Sequence, residues 1–162
     1  MINELIKMLE MQKMLDASIF EKHGIKEYPY ENMRIALLVE LGELLNELPT
    51  KFKHWKKTAV DNRDKALVEY VDCLHFALSL HNYYNFKIDI EALEKSHNFE
   101  YMRENSKSYS VAELLENIVR SKALTLHYTL VLGYKLGFTW KEIYGAYMAK
   151  NEVNYGRLAS GY

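Results

Sequence analysis

Four carboxylates in two matched pairs, Glu40-x-x-Glu43 and Glu69-x-x-Asp72, are the residues of this chain best suited to chemistry. Side chains three apart share a helix face, so each pair can point one way, and two such helices packed side by side bring all four together. An ionised carboxylate removed from water is penalised by several kcal/mol. A cation is the natural occupant of such a cluster, and hard oxygen ligands favour Mg²⁺ or Mn²⁺ over Zn²⁺. Bound Mg²⁺ would hold a phosphate chain, spread its developing charge and activate a water for in-line attack.

The two pairs differ in weight. Glu40 and Glu43, continued by Glu47, are also what an ordinary solvated helix face looks like. Glu69 and Asp72 interrupt the apolar run Ala66 to Leu80, where the polar residues Glu69, Asp72, His75 and Ser79 form one stripe on an otherwise hydrophobic helix. Buried pairing with Arg34, Lys65 or Arg120 is the structural competitor to a metal. His75 reads first as a hydrogen-bonded core histidine, and Cys73 as a small core residue.

The elements that must position these groups are helical. The 162 residues are the size of one domain, with two prolines, seven glycines and no sustained strand-like alternation. The expected fold is all-α, a bundle of about five to six helices in a single domain over 1–162. A first helix spans about Asn3 to Lys22, closed by Gly24 as a left-handed cap. On it Leu5, Leu9, Gln12, Asp16 and Ile19 share a face; for Gln12 and Asp16 the ordinary reading is the solvated edge of that stripe. Pro29 opens a second helix to about Leu48, and Asp61 is the expected N-cap of a third, to about Asn82.

Between them lies the basic, aromatic connection Lys51 to Thr58, whose Trp55 would either stack on a base or cover the core. Ile88 to Lys95 reads as a short helix and Ser96 to Ser108 as a mobile loop. Ser110 with Glu113 forms a capping box that opens a long helix ending at Gly137, and Thr139 with Glu142 forms another for the last helix. The polar segment 150–162 reads as a flexible tail, with Lys150 and Arg157 available to phosphate oxygens.

Several classes are disfavoured. The net charge of −1 without a basic tail argues against binding to a DNA or RNA polymer. No apolar run is long enough for a membrane span, no leader precedes the first helix, and the single cysteine fits a reducing, cytoplasmic setting. Neither a P-loop nor a dinucleotide-binding glycine pattern occurs.

Together these segments resemble a known family. Glu40-x-x-Glu43 followed by Glu69-x-x-Asp72 is similar to the metal-binding signature of the all-α nucleoside triphosphate pyrophosphatases, the MazG-like superfamily. Gln12-Lys13-Met14-Leu15-Asp16, Lys53-His54-Trp55-Lys56, and the tail residues Lys150-Asn151, Asn154, Arg157, Gly161 and Tyr162 resemble, in order, three motifs of its dimeric dUTPase branch.

The resemblance implies a homodimer that hydrolyses dUTP, and dUDP, to dUMP with Mg²⁺, or Mn²⁺ in its place. It implies that Glu40, Glu43, Glu69 and Asp72 hold the metal, and that a glutamate of the first pair, Glu40, orients or deprotonates the attacking water. By the same resemblance Gln12 and Trp55 contact the uracil, Asn154 lies near the nucleoside, and Lys56, Lys150, Arg157 and Tyr162 bind phosphate oxygens. Asp16, also assigned to the substrate, stands where the family commonly has asparagine, and Leu158 where a glutamine often follows the arginine. Both departures bear on base selection rather than on phosphate chemistry. The alternatives are a pyrophosphatase for dCTP or for several nucleotides, a nucleotide-responsive regulatory protein, and a structural helical dimer.

Overall fold

The computed structural model describes residues 1–84 and 99–161, and for 99–101 the backbone alone. Among the described residues there are seven α-helices, one short 3₁₀ turn at Pro49–Lys51 and no strand. The helices are α1 (Ile2–His23), α2 (Tyr30–Asn46), α3 (Arg63–Tyr83), α4 (Phe99–Ser108), α5 (Val111–Arg120), α6 (Thr125–Lys135) and α7 (Trp140–Ser160). The short helix expected at Ile88 to Lys95 lies outside the described residues.

Helix α3 is the central element. Ala66, Tyr70, Val71, Cys73, Leu74, Ala77, Leu78 and Leu80 are all buried along it, and α1, α2, α6 and α7 pack around it. Such nearly continuous burial is what an apolar circumference requires. Helix α1 buries Leu5, Met8, Leu9, Gln12, Leu15 and Asp16, the three-and-four spacing of one helix face, and ends at Gly24, whose φ of 64° permits the left-handed cap. Gln12 and Asp16 are therefore inside, not at the solvated edge.

Other boundaries moved for identifiable reasons. The N-cap of α3 is Asn62, which accepts from the Lys65 N–H. Asp61 instead accepts from the Thr50 N–H and hydroxyl, pinning the base of the connection. The single helix expected over 110–137 is two, α5 and α6. Arg34 reaches from α2 to donate to the carbonyls of Val119 and Ser121, taking up groups that a continuing helix would have used internally. Segment 99–108, expected as loop, is helical: Met102 and Ser106, one turn apart, are buried, and α4 packs on α6.

Both expected capping boxes are present, at Ser110/Glu113 and Thr139/Glu142. Glu142 also pairs with Arg63 at 2.8 Å, tying the start of α7 to the start of α3. Helix α7 runs without a break through Lys150 to Ser160, so the expected flexible tail is helix up to its left-handed cap at Gly161.

Candidate metal and nucleotide site

Helix α2 buries Leu37, Leu41 and Leu44, and this registers Glu40 toward α3. One carboxylate oxygen from each of Glu40, Glu43 and Glu69 falls within 4.8 Å of the others. Asp72, one turn along α3 from Glu69, is 2.5 Å from the Lys150 ammonium of α7. Arg34 is spent on α5, so the partner of Asp72 is a lysine distant in sequence rather than Arg34, Lys65 or Arg120.

The electrostatics follow from crowding. Burial, then the charges of Asp72, Glu43 and Glu69, push the Glu40 carboxyl up to about 7, with Lys150 opposing the rise. Burial, followed by Asp72 and Glu43, also raises Glu69. Burial raises Asp72 despite its hydrogen bond from Lys150. Like charges gathered in a partly desolvated place raise one another's proton affinity. The all-oxygen donor set and this unneutralised repulsion fit a hard divalent cation.

These carboxylates open onto a cavity of about 540 Å³. Its opposite side is α7, where Ile143, Tyr147 and Asn151 face the core and Lys150, Asn154 and Arg157 line the cavity. At one end are Gln12 and Asp16 of α1 with His75 and Ser79 of α3, flanked by Leu15, Ile19, Met33 and Phe76. The structure thus brings together Gln12, Asp16, Glu40, Glu43, Glu69, Asp72, Lys150, Asn154 and Arg157.

It does not bring in Trp55 or Lys56. Trp55 is 67 % exposed at the tip of the connection, neither covering the core nor lining the cavity, and Lys56 is exposed beside it. Tyr162 lies outside the described residues. Sequence reasoning passed over Ser79 as a cavity residue and gave His75 little weight, although both belong to the polar stripe that marked Glu69 and Asp72. Cys73 is buried and its thiol pushed up by burial, an inert core position.

A carboxylate cluster facing a cationic helix across a nucleotide-sized cavity, in an all-helical fold, defines equipment for hydrolysing phosphoanhydrides. A family model described as dUTPase (dUTPase_2) matches residues 4–162, nearly the whole chain. The chain belongs to the all-α dimeric dUTPase family, and its activity is that of a dUTP diphosphatase, hydrolysing dUTP to dUMP. No curated protein matches it. Among the described residues no helix is long and apolar enough to cross a membrane.

Proposed function

We propose that hydrolysis depends on Mg²⁺ held by Glu40, Glu43, Glu69 and Asp72, with Mn²⁺ able to substitute, and that dUDP is also a substrate. The observation that carries this is the convergence of the Glu40–Glu43–Glu69 oxygens opposite Lys150, Asn154 and Arg157. The ion, when bound, neutralises the phosphate chain and the charge that develops on it. Glu40 orients the attacking water and accepts its proton, a role supported by its half-buried place in the cluster on the cavity wall. Lys150 and Arg157 hold phosphate oxygens, assisted by Lys56 and Tyr162.

Gln12, Asp16 and Trp55 serve the uracil, and Asn154 the nucleoside. The working form is a homodimer in the cytoplasm. Exposed Ile35, Leu38 and Val39 on α2 support the dimer, and the exposure of Trp55 and Lys56 outside their own cavity supports a role for them in a neighbouring copy's site. The chain forms one domain whose C-terminal segment, from about 150, is the phosphate-binding part.

Phosphate and pyrophosphate release from dUTP, dUDP, dCTP, dTTP and UTP, with Mg²⁺ and with EDTA, tests this reading. Release from dUTP and dUDP that EDTA abolishes is the expected result. Turnover undiminished by EDTA would remove the metal from the proposal, and equal turnover of dCTP would move the chain to a broader specificity.

A further inference from the structure

The cavity ends in a hydrogen-bond chain that links three helices. Gln12 Nε2 donates to Asp16 Oδ1 at 2.7 Å, and Gln12 Oε1 lies 2.7 Å from His75 Nδ1. The His75 ring stacks on Tyr147, centroids 4.4 Å apart, and the Tyr147 hydroxyl donates to the Met8 carbonyl at 3.1 Å. Burial raises the Asp16 carboxyl, with Ser79 and Gln12 opposing the rise, and the Ser79 hydroxyl pairs with that of Tyr28 at 2.8 Å. Gln12, Asp16, His75, Ser79 and Tyr147 are all buried.

With Asp16 ionised, the donor and acceptor roles along this chain follow in order. A carboxylate only accepts, so the amide nitrogen of Gln12 must face Asp16 and its carbonyl oxygen must face His75. The imidazole nitrogen facing that oxygen must then carry a hydrogen. His75 Nε2 is left as a bare acceptor, buried with no partner among the described residues. The reverse arrangement needs a protonated Asp16, a flipped Gln12 and a buried Nε2–H with nothing to bond. Orphaned buried N–H groups are rarer than under-satisfied acceptors, which favours the first arrangement. Burial drives the His75 imidazole down to about 3, so the ring is neutral and keeps one tautomer.

From this geometry we propose that His75 is a positioning residue that selects the base. As the nearer of two groups on the Gln12 carbonyl, the other being the Tyr147 hydroxyl at 3.4 Å, it commits the second Gln12 amide hydrogen and the remaining lone pairs of Asp16 to the cavity, as a donor beside an acceptor. This pair matches a pyrimidine edge that presents a ring carbonyl beside a ring N–H, the edge of uracil. A 4-aminopyrimidine in the same pose turns a bare ring nitrogen toward the carboxylate. To pair at all it must slide along the edge, and its phosphate chain then moves out of register with Glu40 and Lys150. The proposal rests on the dUTP reading above and extends it to the residue that fixes the donor–acceptor order.

Two measurements on the full chain test it. Nitrogen-15 NMR of the unmodified protein should show the His75 ring neutral and protonated at Nδ1 between about pH 5 and 8. An Nε2–H tautomer, or a ring that titrates in that range, would overturn the proposal even if every variant failed to fold. His75→Phe, which removes the donor, should lower the ratio of kcat/KM for dUTP to that for dCTP by about tenfold or more. It should do so mainly through a raised KM for dUTP, while His75→Asn, which restores an N–H donor near the same place, should recover most of the ratio. A His75→Phe protein that is helical and active with an unchanged ratio would sink the role. If the unmodified protein did not turn over dUTP, the dUTP reading and the base-selecting role would fall together, and the Nδ1–H tautomer would still report whether the chain itself is drawn correctly.

Discussion

Glu40 shows at one residue how the site couples protons to its ligand. Its carboxyl is raised from 4.5 to about 7, chiefly by burial and then by Asp72, Glu43 and Glu69. A raised folded-state value means that the folded protein binds more protons than the unfolded chain between those two limits. This stabilisation is complete below about 4.5 and is lost as pH climbs through about 7, so metal-free protein should lose stability over that window. Glu40→Gln should flatten this part of the stability profile, as chemical denaturation in EDTA at several pH values would show. The same change should cut Mg²⁺-dependent turnover by about 10²–10⁴-fold by removing the base. A Gln variant with near-normal turnover would remove Glu40 from the chemistry. His75 works in the opposite sense: its depressed value contributes stability above 6.5 that is lost as pH falls toward about 3. The low-pH arm of the profile should survive the Glu40 change.

At the scale of elements, the seam between α3 and α6 closes at Gly133. A Cβ built there would lie 2.5 Å from the Tyr70 hydroxyl oxygen and 3.1 Å from Ile143. Tyr70 is fully buried and donates to the Thr129 carbonyl, so it has no room to retreat. Gly133→Ala should therefore cost about 1–3 kcal/mol by overpacking, despite alanine's better helix propensity, and a thermal melt would register it. The same packing explains what sequence could and could not convey. The capping boxes at Ser110 and Thr139, the Gly24 cap and the polar stripe of α3 were legible because their signals are local. The break between α5 and α6 was not, since Arg34 comes from a helix 85 residues earlier in the chain to bond Val119. Helix α4 hid behind polar composition, its inward face resting on Met102 and Ser106. Gln12 and Asp16 stood at inward-facing positions, but the partner that makes burial of Gln12 tolerable, His75, is 63 residues away.

At the scale of the whole molecule, an apolar face of α2 is left exposed. Ile35, Leu38 and Val39 on α2 are 60 %, 48 % and 52 % exposed, forming an apolar row on the same helix that turns Glu40 inward. Aliphatic side chains left in water at helical spacing favour association, and a two-fold pair would bury the row against itself. Leu38→Glu should convert a dimer to monomers at micromolar concentration, with light scattering as the readout. An unmodified protein that ran as a monomer would sink the homodimer proposal. Since α2 carries both the row and the Glu40–Glu43 pair, the monomeric variant should also lose turnover through disturbance of that helix.

Helix α7 puts core anchors and cavity residues on one rigid rotor. Ile143, Tyr147 and Asn151 are clamped inside, which fixes the angular setting of Lys150, Asn154 and Arg157, a row about 10 Å long on the neighbouring face. The three polar groups therefore share a phase: each added residue turns an α-helix by about 100°. One alanine inserted between Tyr147 and Lys150 would leave composition, charge and helix length almost untouched, yet turn the entire row, and Asn151 with it, out of register with Ile143 and Tyr147. What this chain must preserve there is a count of residues between anchor and cation, a constraint that no single substitution would reveal.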